Sequence, residues 1–207
     1  MALRKLILTI DVFISLVIFA VITSVTPGPN NFMLLASGLN IGFRRSLPHI
    51  VGISIGFFIL LLGVGLGLGA LLMSFPTFHL MLKVIGAGYL LFLAWRIATS
   101  SAMEDEGGMS NYRPMTFLSA AAFQWVNIKA WFMAVMAMTI YTNHQHGPDP
   151  SIILVAATFA TINFPCVSVW AVFGQMIRRF FTNKKFVKYF NIVSALLLVF
   201  SLWPILS

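Results

Sequence analysis

The run Val12-Phe13-Ile14-Ser15-Leu16-Val17-Ile18-Phe19-Ala20-Val21-Ile22-Thr23-Ser24-Val25 leads directly into Thr26-Pro27-Gly28-Pro29-Asn30-Asn31 and stays largely apolar to Leu39. A helix rises 1.5 Å per residue, so about 20 apolar residues cross the hydrocarbon core of a bilayer. Residues 12–39 are long enough to do so, yet they carry a helix breaker well inside the run. Two prolines remove two backbone donors and clash with the preceding turn, and the glycine between them permits non-helical dihedrals. The expectation is a first membrane span broken at residues 27–29. Proline suits the first position of a helix, so Pro29 would restart it with free N–H groups and a positive dipole end near the membrane middle, a site for a carboxylate. A plain proline kink is the alternative reading.

Outward from this stretch lie five more runs of spanning character, at residues 48–73, 78–97, 115–141, 151–177 and 189–206. The separators are polar or punctuated, among them Glu104-Asp105-Glu106-Gly107-Gly108 and His144-Gln145-His146-Gly147-Pro148-Asp149-Pro150. Connections this short leave no room for a soluble domain, so residues 1–207 read as a single all-α integral membrane domain of six transmembrane helices. Arg4-Lys5 before an apolar stretch resembles a secretory leader, but the run is too long and reaches Pro27 without an A-x-A cleavage site, so it is kept as the first span.

The composition agrees. Of 207 residues, 59% are hydrophobic and only 9% charged, with a mean hydropathy of +0.95. A soluble domain carries about a quarter charged residues, and a chain with 20 Phe and 5 Trp would not stay solvated and disordered. Cys166 is the single cysteine and lies in an apolar run, which excludes a disulfide framework or a thiolate zinc site.

The net charge of +8 is distributed as a topology signal rather than a nucleic-acid footprint. Arg44, Arg45, Arg96, Arg113, Arg178, Arg179, Lys184, Lys185 and Lys188 fall in connections after spans one, three and five, against Arg4, Lys5 and Lys83 on the other side. The positive-inside rule then puts the basic connections in the cytoplasm and both termini outside. The lipid bilayer is the expected partner of the basic run 178–188.

Within the fourth span, Gln124-Trp125-Val126-Asn127-Ile128-Lys129-Ala130-Trp131 places a lysine at the centre, too deep to snorkel easily. A central lysine costs about 2.5–3.5 kcal/mol on insertion scales, and no Asp or Glu lies in any of the six spans to offset it. Its partners are then carbonyls freed by a broken helix, asparagine amides, water or a bound anion, unless it is buried for packing or neutralised. The second span carries Gly52, Gly56, Gly63, Gly65, Gly67 and Gly69, with G-x-x-x-G spacings that let helix backbones approach. In the fifth, Asn163 two residues before Pro165 either lines a cavity or makes an ordinary interhelical hydrogen bond. His49 and His79 stand alone near helix ends.

Thr26-Pro27-Gly28-Pro29-Asn30, the Gly42-Phe43-Arg44 turn before a glycine-spaced helix, Gly86-Ala87-Gly88-Tyr89-Leu90-Leu91-Phe92-Leu93, and Phe123 with Asn127, Lys129 and Ala130 together resemble the LysE/RhtB family of amino-acid exporters. The resemblance extends over essentially the whole chain. It implies a six-helix secondary transporter in the bacterial inner (cytoplasmic) membrane that expels amino acids or derivatives by alternating access, driven by a proton or ion gradient. Ile128 stands where the family's signature has proline, which weakens the case for a second broken helix.

The two signatures lie nearly half a chain length apart, which suggests two inverted three-helix repeats, residues 1–100 and 113–207, with a substrate site between them at the midplane. Pro27, Gly28 and Pro29 would shape a carboxylate site, Asn30 and Asn127 would supply amide hydrogen bonds, Asn163 would line the cavity, and Lys129 would be the charge partner or proton-coupling group. The expected substrates are small neutral amino acids or related zwitterions. No enzymatic motif is present, and neither cofactor nor metal site is expected; His144, His146 and Asp149 read as solvated loop residues. A non-transporting assembly or lipid-handling subunit is the alternative, a metal-ion exporter a weaker one. Homo-oligomerisation is left open.

Overall fold

The computed structural model describes residues 10–70, 76–100, 112–142, 150–180 and 184–203. Among these the chain is helical and contains no strand: α1 (Ile10–Val25), α2 (Pro29–Ile41), α3 (Phe43–Gly63), α4 (Pro76–Thr99), α5 (Phe117–Phe123), α6 (Ile128–Tyr141), α7 (Ser151–Phe180) and α8 (Lys184–Phe200). The segment with His144, His146 and Asp149, and the acidic connection 104–106, lie outside the described residues.

The first run breaks where its prolines stand. α1 and α2 meet at 58°, and Pro29 occupies the first turn of α2, where its missing N–H has no partner to lose. The fourth run is broken as well, without a proline. After α5, the N–H groups of Gln124, Trp125 and Val126 each turn back to a carbonyl three residues earlier, at 3.1–3.2 Å, and extended Asn127 (φ −86°, ψ 100°) precedes α6. Tightening of the last turn ends the helix here, so Ile128 in place of proline does not prevent the break.

Among the described residues, three stretches are long and apolar enough to cross a bilayer: Phe43–Leu68, which adds a π-turn to α3, Leu80–Thr99 of α4, and Ser151–Phe180. The α1–α2 pair qualifies as one bent unit. On the outside, Leu118, Phe173 and Phe200 are among many large apolar side chains more than half exposed, as on a surface solvated by lipid. This is a multi-pass membrane protein.

Small residues set the closest crossings. A Cβ on Gly52 or Gly56 would run into the backbone of Phe117 or Ala121, so these glycines let α3 lie against α5; Gly38 and Gly174 do the same for α2 and α7. Two apolar clusters result, one around Phe32, Ile50, Leu93 and Leu198, the other around Leu16, Leu60, Met138 and Phe159. The breaks lie at their seam.

Candidate functional site

Breaking α1 strands carbonyls that water cannot solvate inside a membrane, and each finds a donor. Thr26 Oγ1 donates to Thr23 O at 2.9 Å, Asn31 Nδ2 to Ser24 O at 3.0 Å, and Trp170 Nε1 to Val25 O at 3.2 Å. Thr26 O accepts from Asn31 Nδ2 and from Lys129 Nζ, both at 2.7 Å. The Lys129 ammonium also reaches Thr26 Oγ1 at 3.0 Å and Pro27 O at 3.3 Å. Of the partners open to a central lysine, the structure selects carbonyls freed by the broken helix. The ammonium sits at the negative end of the α1 dipole.

Gly28 makes this approach possible. A Cβ there would lie 2.8 Å from Lys129 Cδ and 3.1 Å from Nζ, although its extended backbone is open to any residue. The second contact between the breaks is an amide pair: Asn30 Nδ2 donates to Gln124 Oε1 at 2.9 Å, and Gln124 Nε2 donates to Asn30 Oδ1 at 3.3 Å.

Between the breaks lies a cavity of about 20 Å³, the room of a single water. Gly28, Asn30, Asn127, Lys129 and Asn163 line it, so five of the seven residues expected at the site come together; Pro27 and Pro29 shape the break beside it. Asn163 Nδ2 donates to Ser24 Oγ at 3.2 Å, while Asn163 Oδ1 and Asn127 Oδ1 are buried with no hydrogen-bond partner among the described residues. The first turns of α2 and α6, whose N–H groups lack carbonyl partners in their own helices, border the same space. The site thus combines a cationic donor and two helix N-termini with two unsatisfied acceptors.

The family model described as LysE type translocator matches residues 21–202, a region that includes both breaks. The chain belongs to the LysE-type translocator family. Among its relatives are the cysteine/O-acetylserine efflux proteins of Escherichia coli (strain K12) and Shigella sonnei (strain Ss046), each 35% identical over 183 residues, 88% of this chain and 91% of theirs. No solved structure matches. A LysE-type translocator is a transporter and not an enzyme, and the apolar helices are those of a membrane carrier.

In this LysE-type translocator, Gln124, Ser24 and Asn31 belong with the residues singled out from sequence. Gln124 is fully buried and pairs with a residue 94 positions away, a contact no local pattern reveals; its one signal was a glutamine inside an apolar run. His49, in the second turn of α3, is buried in the interior at 1% exposure.

Proposed function

We propose that this LysE-type translocator exports small neutral amino acids or related zwitterions, of the class to which cysteine and O-acetylserine belong, by alternating access at the cavity between its two breaks. The observation that carries this is the pairing, in one cavity, of the Lys129 ammonium with the orphaned oxygens of Asn127 and Asn163. A zwitterion answers both: its carboxylate takes Lys129 and the first-turn N–H groups, and its ammonium takes the carboxamide oxygens. Leaving either oxygen buried and unpaired costs about 1–3 kcal/mol, which the ligand recovers.

A water-sized cavity is too small for an amino acid, so on this reading substrate enters when the half-helices move apart, and the arrangement described would be a closed form. In that form Lys129 holds the Thr26 and Pro27 carbonyls. Substrate carboxylate competes for the ammonium and loosens one break from the other, which couples binding to motion; a proton or ion gradient drives the cycle.

Six spans in two inverted repeats fit this reading. Exchanging α1 with α5, α2 with α6, α3 with α7 and α4 with α8 carries the α1–α7 packing into α5–α3, while α3–α7 and α4–α8 map onto themselves; the α2–α7 packing is far more extensive than its counterpart α6–α3. Two inverted repeats would put both broken helices in equivalent places, as in carriers whose substrate sits between discontinuous helices. The positive-inside rule would place the Arg44, Arg96 and Arg178 end in the cytoplasm and both termini in the periplasm of an inner membrane.

Counterflow in proteoliposomes tests the function. Vesicles preloaded with unlabelled O-acetylserine should take up the labelled compound well above protein-free vesicles. Equal uptake by both, repeated with cysteine and threonine, would overturn the assignment.

A further inference from the structure

A second cavity, of about 210 Å³, lies between α2, α3, α4 and the segment 112–116, and is roughly ten times larger than the one beside Lys129. Its polar lining includes His49, Arg96 and Ser100. His49 is 1% exposed, yet among the described residues neither ring nitrogen has a hydrogen-bond partner. Both ring nitrogens are themselves buried, and a buried imidazole with nothing to bond is a costly arrangement beside a cavity that the residue lines.

Among the described residues, Arg96 makes one hydrogen bond, from Nη2 to Arg113 O at 3.1 Å, and its guanidinium lies 5.8 Å from the Phe92 ring centre. Asp11, at the start of α1, is the only acidic side chain among the described residues, so no described carboxylate balances Arg96. Among the described residues, the cavity's lining is richer in donors than in acceptors. A guanidinium fork with spare N–H groups matches a carboxylate in two parallel hydrogen bonds, and a neutral imidazole adds one donor and one acceptor.

The two cavities are stacked along the same helices. Asn30 lines the Lys129 cavity and Met33 the larger one, while on α3 Ile53 lines the first and His49 the second. Spacings of three and four residues put the cavities about one turn, roughly 5 Å, apart. The larger one is on the side of Arg44, Arg45 and Arg178, the end that the proposed topology makes cytoplasmic.

We propose that the His49–Arg96 cavity is a second binding site for a small carboxylate-bearing molecule, an antechamber that holds substrate one helical turn short of the Lys129 site. That the occupant is the exported zwitterion rests on the transport reading; that the cavity binds a carboxylate does not. Arg96 and the His49 ring hold the carboxylate, and Met33 lines the same cavity one turn along α2 from Asn30 of the Lys129 site.

The test uses the full chain with Lys129→Met, which disables the inner site, in nanodiscs of phosphatidylcholine and with histidine labelled by ¹⁵N. His49 resonances are assigned by their loss in His49→Asn. Added O-acetylserine should shift them, and Arg96→Gln should abolish the shift. No shift at millimolar ligand would overturn the proposal; a shift produced by phosphatidylglycerol and not by O-acetylserine would overturn it in favour of a lipid phosphate site. Transport supplies a second readout in the otherwise native chain. His49→Asn should raise the half-saturating substrate concentration on the basic face about tenfold, the loss of one hydrogen bond to a charged group, with the maximal rate kept. An unchanged half-saturation would contradict the antechamber. A shift of His49 without any counterflow would leave the site standing and remove only the transport reading.

Discussion

Asn30 and Gln124 exchange hydrogen bonds across the two breaks, at 2.9 and 3.3 Å, and so tie the start of α2 to the end of α5. Gln124 also donates to Ala120 O at 2.9 Å, which holds its amide in the orientation Asn30 needs. The pair fixes how the two half-helices face each other. In a double-mutant cycle of Asn30→Ala and Gln124→Leu, followed by thermal unfolding in detergent, the coupling should be about 0.6–1.7 kcal/mol, the range for polar pairs between membrane helices. Strict additivity would mean that the breaks are held independently.

Gly28→Ala addresses the approach of Lys129. The added Cβ displaces a flexible side chain rather than backbone, so the fold should persist while the ammonium leaves the Thr26 carbonyl. Transport should fall at least tenfold with the melting temperature near that of the unaltered protein. Gly56→Ala is the contrast, because its Cβ meets the backbone of Ala121; it should lower stability by about 1–3 kcal/mol. Equal behaviour of the two variants would remove the distinction between a site glycine and a packing glycine.

Replacing Pro27 and Pro29 together by alanine should let α1 continue into α2, with a gain in helical propensity of up to ~3 kcal/mol per proline. The 58° bend would straighten and withdraw the Thr26 and Pro27 carbonyls from Lys129. Membrane insertion should survive and export should not. Normal export by the double variant would show that the prolines only bend the helix.

The break at residues 27–29 was legible because proline acts locally: a missing donor shows in the sequence itself. The break after α5 was not, because its bonds to carbonyls three residues back and the extended Asn127 arise with no residue that demands them. Lys129 was legible as a problem, a charge without a carboxylate, but its solution depended on the other break, 103 residues away. His49 looked ordinary because a lone histidine carries no pattern; its isolation comes from the packing of α2 and α4 around α3. The glycines of the second run were readable as contact points, though not which helix they would meet.

Substrate charge follows from the site's own charges. Lys129 is a cation, and among the described residues the only acidic side chain, Asp11, stands at the far end of α1. A cationic side chain brought into this cavity would meet repulsion without a counterion. In everted vesicles, excess lysine or arginine should therefore compete poorly with labelled O-acetylserine, and cysteine, threonine or homoserine should compete well. Stronger inhibition by lysine than by threonine would refute the electrostatic argument.

The central claim is that the Lys129 ammonium binds substrate carboxylate in exchange for the carbonyls of the first break. Lys129→Met is the direct measurement, since it removes an intramembrane charge and leaves Thr26 O its bond from Asn31. The variant should insert and remain folded. Counterflow of labelled O-acetylserine in proteoliposomes matched for protein should then fall about tenfold to a hundredfold, the loss of charged hydrogen bonds worth about 1.5–3 kcal/mol. Counterflow at the unaltered rate by a folded Lys129→Met protein would contradict the account.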